Sequence, residues 1–498
     1  MIQKLAAFAV IALVPGTGWS SGAVVLTTLD GSHSVSGELL SFDGEFFRVE
    51  TEFGALTLDR GDVSCDGPGC PEPEALVAHA RVGGPADMIH LLMPPLLESF
   101  ARRQGLSYHR IFTSDETVTW ELTETSTSRL VARIEGAVAP EEDVLTQLAS
   151  RDTDLSLGRK EVGKSVDQDV IALDALVPVV SLDNPRAMVT LEQFRGLLTG
   201  DIDNWEELDG PDMPVDLHLP EGRDVTRALA RVFPGLRAGS ATRHRDKKLL
   251  ATAVASSPSA LGLVPLSRLG NTVPLVISGS CGLASPATRG TVKAEDYPLT
   301  QPLFLHRNGA RQPRIVRDFI AYVRSHEAQP VIQAAGFVDQ GIGFIPFDRQ
   351  GDRLANAVLT AGDDQERMQE IQRMIAALML GERLTLTFRF RDGSSELDPQ
   401  SASNVRRLAD AIWRGEFDGK ELVFVGFTDG DGPAEGNQRL SMRRARAVRQ
   451  AVGAFTGGSP VKLEVDGYGE ILPMACDDTA WGRQVNRRVE VWLRGPNP

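Results

Sequence analysis

The sequence predicts a multidomain α/β protein, and three observations lead to this fold class. Residues 24–64 alternate apolar and polar side chains in short runs, as strands with one buried face do. Residues 76–338 alternate strand-like and helix-like segments, which is the pattern of an α/β domain. Residues 384–498 combine alternating strands with helical periodicity. A chain of 498 residues is long enough for several such domains.

Residues 1–23 have the pattern of a secretory signal peptide. Lys4 supplies a positive start, residues 5–14 form a short apolar run, and residues 21–23 offer small side chains at a cleavage point. The apolar run is too short to span a membrane as a helix. We therefore expect an exported chain that begins at Val24 and does not span the membrane.

The charge and the cysteines limit the function classes. The formal net charge is −15, so the chain lacks the basic surplus that displaces counterions from nucleic acid, and we expect no such partner. Four cysteines fit an oxidising compartment. Cys65 and Cys70 bracket a tight turn and are predicted to form a disulfide. Cys281 and Cys476 either pair across domains or stay as buried thiols. No His or Cys cluster has the spacing of a zinc site.

Residues 24–75 are predicted to form a small β-module. Asp43-Gly44 is a hairpin signal, because both turn residues tolerate positive φ. Residues 65–74 are rich in Gly and Pro and are predicted to be a linker. The expected strands are residues 24–26, 35–40, 46–49 and 56–58.

Residues 76–338 are predicted to form an α/β domain with mostly parallel sheets. Residues 88–100 and 143–148 are expected to be helical, with a bend at Pro94-Pro95. Residues 170–180 are largely apolar and are expected to form a buried strand.

A helical connector, residues 339–383, is expected next. It contains two stretches of helical spacing, residues 353–359 and 365–380, which Gly362 separates. In the segment that follows, Asp398-Pro399 predicts a helix start, with Asp as the N-cap and Pro at the first helical position.

Residues 421–455 are predicted to form a strand, a Gly-rich loop and a helix. The loop is Gly426-Phe427-Thr428-Asp429-Gly430-Asp431-Gly432, and the helix after Pro433 carries Asn437 and Leu440-Ser441-Met442-Arg443-Arg444-Ala445. Further along the chain stand Gly467-Tyr468-Gly469-Glu470, Pro473 and Asn486-Arg487-Arg488-Val489-Glu490. Together these motifs, within about residues 384–494, resemble the OmpA-like peptidoglycan-binding domain. The resemblance implies an α+β sandwich that binds peptidoglycan, and hence the bacterial periplasm.

The resemblance also implies a site for the diaminopimelate of the peptide stem, whose free end carries an ammonium and a carboxylate on one carbon. Asp429 would take the ammonium. Arg444 would take the carboxylate, because a planar guanidinium can donate two parallel hydrogen bonds. Thr428 belongs to the same loop, Asn437 would support it, and Arg487 would line or buttress the site. The alternative is that Asp429 and Arg444 form only a surface ion pair, worth about 0–1 kcal/mol.

Four local patterns in the middle of the chain carry a second resemblance. They are Leu198-Thr199-Gly200-Asp201-Ile202-Asp203-Asn204-Trp205, Ser257-Pro258-Ser259-Ala260-Leu261-Gly262-Leu263, Asp296-Tyr297-Pro298-Leu299, and Gln333 with Ala335-Gly336-Phe337. They are similar to patterns of the phosphate-type periplasmic substrate-binding proteins. The resemblance implies two lobes around a ligand cleft that closes by a hinge.

The anion site of that family is where this sequence departs from it. The family holds phosphate through backbone N–H groups and hydroxyls at helix starts. The expected Ser-Gly-Thr is absent from residues 221–226, Pro85 has no N–H to donate, and Asp87 would repel a phosphate. The residues left as candidates for an anion are Ser156, Arg159, Arg223 and Thr226. The alternative is that they only line the surface or pack the lobes.

These observations favour a binding protein over an enzyme. We find no nucleophile elbow, metal-ligand helix, Walker loop or dinucleotide loop, so we expect no catalytic residues, cofactor or metal. The leading hypothesis is an exported protein that binds peptidoglycan and presents a domain for a small anion such as phosphate. The alternative is a wall-anchored scaffold whose solute site is lost. An envelope protein partner and association with the outer membrane are left open.

Overall fold

The computed structural model describes residues 22–42, 44–72, 77–163, 166–310, 312–391, 394 and 396–495. The predicted signal peptide therefore lies outside the described residues, apart from Gly22 and Ala23, and so does Asp43 of the predicted hairpin turn. Ala23 begins a strand, and the Gly22 carbonyl accepts a hydrogen bond from the Leu39 N–H. Among the described residues, no helix combines the length and the apolar character needed to cross a bilayer.

The N-terminal segment forms one antiparallel sheet in the order β4-β3-β2-β1-β5. The hairpin between β2 and β3 is confirmed, whereas β5 was not predicted and includes Cys65, the first residue of the predicted linker. The Cys65–Cys70 disulfide is confirmed. The strands are β1 (Ala23–Thr28), β2 (Ser34–Phe42), β3 (Phe46–Thr51), β4 (Gly54–Asp59) and β5 (Val63–Asp66).

The middle segment alternates strands and helices as predicted. A π-helical turn, Met88–Leu92, runs directly into α1, and Pro94 lies in the first turn of α1 just after the change of helix type. The strands are β6 (Ala78–Gly84), β7 (Leu106–Phe112), β8 (Thr117–Glu124), β9 (Leu130–Val138), β10 (Leu155–Gly158), β11 (Asp167–Val180), β12 (Met188–Thr190), β13 (Asp216–Pro220), β14 (Thr242–His244), β15 (Ala260–Pro265), β16 (Val273–Pro274), β17 (Val276–Ser278), β18 (Ala284–Ser285) and β19 (Thr300–Arg307). The helices are α1 (Met93–Arg103), α2 (Glu141–Ser150), α3 (Leu191–Thr199), α4 (Arg223–Val232), α5 (Lys247–Ala255), α6 (Arg289–Lys293), α7 (Arg314–Arg324) and α8 (Gln329–Ala334).

The expectation of mostly parallel sheets is wrong. The large sheet follows the order β14-β13-β15-β11-β19-β10-β6-β9-β8-β7, with β16 beside β11, and it is mixed. Its parallel pairs are β6 with β9 and β10, and β13 with β14 and β15. Two arrangements make neighbouring strands antiparallel elsewhere in this sheet. The strands β7, β8 and β9 form an antiparallel meander, and β11 and β19 run antiparallel along the middle of the sheet.

Two hydrophobic cores divide this segment into two lobes. The first core surrounds Phe100 and Trp120, and the second surrounds Phe194 and Trp205. The long strand β11 contributes to both, with Ile171 in the first core and Val177 in the second. The predicted two-lobed architecture is therefore confirmed, and β11 and β19 are the strands that pass between the lobes.

The C-terminal segment is a sheet with helices on both faces, in the order β20-β21-β24-β22-β23. Helices α11 and α12 cover one face around Phe388 and Phe424, and α9 and α10 cover the other around Trp492. Asp398 caps α11 as predicted, accepting from the Ser401 N–H. The elements are β20 (Phe344–Pro346), α9 (Gly351–Ala361), α10 (Gln365–Leu378), β21 (Glu382–Arg389), α11 (Pro399–Trp413), β22 (Glu421–Gly426), α12 (Ala434–Gly453), β23 (Lys462–Gly467), α13 (Ala480–Asn486) and β24 (Arg488–Arg494).

Candidate functional site

The loop that carries Asp429 is seated by two close backbone approaches. A Cβ on Gly426 would lie 2.0 Å from the Ser441 carbonyl oxygen, and a Cβ on Gly467 would lie 2.6 Å from Ser441 Oγ. Only glycine therefore lets β22 and β23 end directly against α12. Ser441 Oγ also accepts a hydrogen bond from the Gly469 N–H at 3.1 Å. The two predicted motifs thus meet at one serine.

Thr428 and Asn437 hold the backbone around this loop. The Thr428 N–H donates to the Gly469 carbonyl across 2.8 Å. Asn437 Nδ2 donates to Glu470 Oε2 across 2.5 Å, so Asn437 anchors the segment that receives Thr428 rather than the Asp429 side chain. Thr428 Oγ1 is buried and has no hydrogen-bond partner among the described residues.

Asp429 lies largely buried in the middle of the loop. Arg487 Nη1 donates to Asp429 Oδ2 across 2.8 Å. The next residue, Gly430, donates its N–H to Asp477 Oδ2 at 2.9 Å, and Asn486 Nδ2 donates to the other Asp477 oxygen at 2.8 Å. The loop is therefore fixed from the side of α13, which lies between Asp477 and Arg487 in sequence. Sequence reasoning missed Asp477, because no motif marks it.

Arg444 is the last of the residues predicted for the peptidoglycan site. Its Cζ lies 5.6 Å from the Phe390 ring centroid, and its Nη1 is buried without a hydrogen-bond partner among the described residues. Burial lowers its pKa, and repulsion from Arg487 lowers it further, whereas Asp429 attracts it. A half-buried cation with an unused, buried N–H donor thus lies near a carboxylate, which is the pair of opposite charges that a zwitterion requires.

The middle segment brings a second group of charges together where its lobes meet. Asp87, at the start of the first helical segment, accepts hydrogen bonds from Arg159 Nη2 at 2.6 Å and from Lys247 Nζ at 2.8 Å. Burial opposes ionisation of Asp87, but the attraction of Arg159 and Lys247 outweighs it and holds its pKa below the ordinary value. Burial likewise acts against the charge of Arg159, while Asp87, Asp224 and Asp174 raise its pKa.

Further ion pairs cross the cleft beside Asp87. Glu141 pairs with Arg227, and Glu142 pairs with Arg223, so α2 of one lobe is bonded to α4 of the other. Glu141 also accepts from the Arg159 N–H and, at 2.5 Å, from the Lys160 N–H. The protein's own carboxylates therefore occupy most of the donors of this cleft, but Arg159 Nη1 is buried with no hydrogen-bond partner among the described residues.

The residues predicted for an anion are only partly brought together. Arg159 is buried in the cleft, but Asp87 already bonds it. Ser156 is buried on β10, and its Oγ has no hydrogen-bond partner among the described residues. Arg223 leaves 82% of its side chain exposed, and Thr226 is exposed on α4. The structure thus brings Arg159 and Ser156 inside the lobes and leaves Arg223 and Thr226 at the surface.

The two segments are joined by a disulfide and by buried charges. Cys281, in the second lobe, is bonded to Cys476, one residue before Asp477, so the pairing that sequence left open is settled. Arg383 pairs with Asp296 at 2.7 Å, with 2% and 7% of the two side chains exposed. Helix α13 packs its Trp481 and Val485 into the core of the second lobe, which α4 shares.

No group of three or more His, Cys, Asp or Glu side chains within the described ranges is placed to hold a metal ion.

Two family models match the chain. The model described as bacterial extracellular solute-binding protein matches residues 80–338, more than half of the chain, and the OmpA family model matches residues 389–487. Neither description names an enzyme. A solved structure of an ABC-type phosphate transport receptor from Vibrio cholerae is 15% identical, covering 52% of this chain and 99% of that one, with a TM-score of 0.40.

Curated relatives match one domain or the other. Outer membrane porin F of Pseudomonas fluorescens is 38% identical over 108 residues, 22% of this chain and 32% of that protein, so the chain spans about a third of that relative. The peptidoglycan-associated lipoprotein of Pseudomonas putida is 36% identical over 111 residues, 22% of this chain and 63% of that protein. Phosphate-binding protein PstS of Borreliella burgdorferi is 20% identical over 203 residues, 38% of this chain and 71% of that protein. The chain belongs to the bacterial extracellular solute-binding protein family and carries an OmpA-family domain on the C-terminal side of that region.

Proposed function

We propose that this protein is a non-catalytic component of the bacterial envelope that binds peptidoglycan through its C-terminal domain. The ligand is the zwitterionic end of diaminopimelate. Asp429 holds the ammonium and Arg444 holds the carboxylate. Export to the periplasm by the signal at residues 1–23 is part of the proposal. The name of the lipoprotein relative, which states an association with peptidoglycan, supports it.

One observation carries the proposal: the buried Nη1 of Arg444 has no hydrogen-bond partner among the described residues. A buried donor without a partner is costly, so a ligand carboxylate that accepts from it gains a charge-assisted hydrogen bond and removes that cost. Arg487 donates to Asp429 Oδ2 and orients its carboxylate. An ammonium that binds Asp429 shares that carboxylate with Arg487.

Sedimentation with purified sacculi tests the proposal. We expect Asp429→Ala and Arg444→Ala each to move the full-length protein from the pellet to the supernatant. Asp431→Ala is a matched control in the same loop, because 80% of its side chain is exposed, and Arg446→Ala is a control on the exposed face of α12. Unchanged sedimentation of both site variants would show that the wall site lies elsewhere.

A second candidate function concerns the middle domain, where Asp87 favours a scaffold over a receptor for phosphate. The Asp87 carboxylate already bonds Arg159 and Lys247, so the cleft contains a built-in anion. Calorimetry of the full-length protein with inorganic phosphate distinguishes a scaffold from a phosphate receptor. Absence of heat at millimolar phosphate supports the scaffold. A dissociation constant near micromolar, about −8 kcal/mol, would identify a phosphate receptor instead.

A further inference from the structure

A polar groove lies where the OmpA-family domain contacts the middle domain. Its volume is about 320 Å³. Helix α11 forms one wall, and β11 and α7 form the other. Because one wall comes from each of the two matched regions, the groove exists only when both domains are present in this arrangement. It is separate from the Asp429 loop and from the cleft at Asp87.

Arginines crowd around a single buried carboxylate in this groove. Asp169, at the start of β11, pairs with Arg307 at 2.9 Å, Arg324 at 3.3 Å and Arg406 at 3.6 Å. Asp169 leaves only 7% of its side chain exposed, whereas Arg324 and Arg406 leave 41% and 59% exposed. One carboxylate therefore forms ion pairs with three guanidinium groups, which come from both domains.

A fourth arginine, Arg407, is less well satisfied. Its Nη2 donates to the Val170 carbonyl at 2.9 Å, but its Nε is buried and has no hydrogen-bond partner in the described part of the chain. Burial, with repulsion from Arg324, lowers its pKa to about 10 despite the attraction of Asp169. Asp339 also attracts Arg407, but it already pairs with Lys293 at 2.8 Å.

The charge around the groove is therefore unbalanced. Three guanidinium groups line the groove with Asp169 and the exposed Asp410, which leaves one positive charge, and Arg307 outside the lining also draws on Asp169, in a protein whose net charge is −15. Exposed arginines on their own are screened by water, but these converge on one cavity and Arg407 has lost part of its hydration. Trp413 and Phe455 line the same groove with 60% and 56% exposed, and they offer an apolar wall.

We propose that this groove binds a multivalent oxyanion, a phosphoryl or polycarboxylate compound, whose charges pair with Arg324, Arg406 and Arg407. Guanidinium groups suit such ligands because they donate bidentate hydrogen bonds to phosphate and carboxylate oxygens. An apolar part of the ligand would lie against Trp413. The site goes beyond the proposed wall binding and does not depend on it.

Calorimetry of the full-length protein at low salt, with pyrophosphate and with citrate as probes, tests this site and distinguishes the two ligand classes. We expect at least one probe to bind, and the double variant Arg324→Gln/Arg406→Gln to weaken that binding at least about tenfold, as the loss of one charge-assisted hydrogen bond does. Both side chains are exposed enough for the variant to fold, which circular dichroism checks.

Three controls assign the signal. Lys247→Gln alters the cleft, Arg444→Ala alters the wall site, and Arg446→Gln removes an exposed arginine of α12. All three are expected to bind the probe as the unaltered protein does. Two results would overturn the proposal. The first is that neither probe binds at 10 mM, about the weakest affinity that a cluster of charge-assisted hydrogen bonds should give. The second is that binding disappears in Lys247→Gln or Arg444→Ala but persists in the double variant.

Discussion

Arg487 and Asp429 are 58 residues apart in sequence, and a hydrogen bond of 2.8 Å joins their side chains. Arg487 directly follows α13, and α13 packs on the second lobe of the middle domain. The loop before α13 carries Cys476, which is bonded to Cys281 of that lobe. The acid of the candidate wall site is therefore positioned by an element that both domains share.

Arg444→Lys should weaken binding to sacculi by about tenfold or more. Lysine keeps the positive charge but loses the planar fork that donates two parallel hydrogen bonds to a carboxylate. A quantitative pull-down with a dilution series of sacculi measures the effect. Arg446→Lys, on the exposed face of the same helix, is the matched control and should bind normally. Equal binding by both variants would argue that Arg444 makes no bidentate contact.

Removing the long-range disulfide should affect both stability and wall binding. The double variant Cys281→Ser/Cys476→Ser opens a link between residues 195 apart, and such a loss costs about 2–5 kcal/mol in unfolding free energy. Wall binding should weaken as well, because Asp477, the residue after Cys476, accepts a hydrogen bond from the Gly430 N–H of the site loop. Urea denaturation and sacculus binding are the measurements.

The other disulfide supplies the control for that experiment. Cys65→Ser/Cys70→Ser removes a bond between residues 5 apart in the N-terminal sheet. It should leave wall binding unchanged. If both double variants bind sacculi equally well, the bond between Cys281 and Cys476 does not position the wall site.

Asp87→Ala should destabilise the protein and create a response to phosphate. The variant leaves Arg159 and Lys247 without their shared carboxylate, and breaking a buried pair in this way costs about 3–5 kcal/mol. Millimolar phosphate can replace the missing anion, so we expect it to raise the urea midpoint of the variant but not of the unaltered protein. Asp143→Ala, an exposed acid on α2, is the control. A variant that is as stable as the control, or whose urea midpoint does not change with phosphate, would contradict this prediction.

Asp296→Asn should loosen the contact between the domains. Among the described residues, Arg383 would then keep one charged partner, Glu490 at 3.5 Å, which Arg353 and Arg488 already share. We expect a loss of about 3–5 kcal/mol in unfolding free energy, measured by urea denaturation. Asp363→Asn, which changes an exposed acid, should cost less than about 0.5 kcal/mol. Similar urea midpoints for the two variants would show that the Arg383–Asp296 ion pair adds little to the unfolding free energy.

Stability should fall on acidification. Burial opposes ionisation of Glu490, but Arg353, Arg383 and Arg488 outweigh it and hold its pKa below the ordinary value, as Arg159 and Lys247 do for Asp87. A carboxyl whose folded pKa is depressed contributes fully above its unfolded pKa of about 4, and the contribution is lost as the pH falls below that value. Thermal midpoints between pH 7 and pH 3 should therefore decline below about pH 4.5, and less steeply in Glu490→Gln. A flat profile would contradict the prediction.

Local patterns predicted some of the elements, because these depend on neighbours in sequence. The cap at Asp398, the strand β11, the helices α9 and α10, and the Cys65–Cys70 bond were all predicted from residues a few positions apart. Most strands and helices of the middle segment were not predicted individually, and the short strand β5 and the helix α13 were missed. Helix α13 spans only seven residues and is held by contacts with another domain, so its own sequence carries little periodicity. The domain boundaries stay predictions.

By itself, the sequence determined the two family resemblances, the Gly-rich loop with Asp429, and the departure at Asp87 from a phosphate site. Only the tertiary structure decided what those side chains contact. Asp87 bonds a lysine 160 residues away, Cys281 pairs with a cysteine 195 residues away, and the groove at Asp169 takes arginines from two domains. The physical reason is that burial and charge depend on which surfaces pack together, and periodicity along the chain reports one surface at a time.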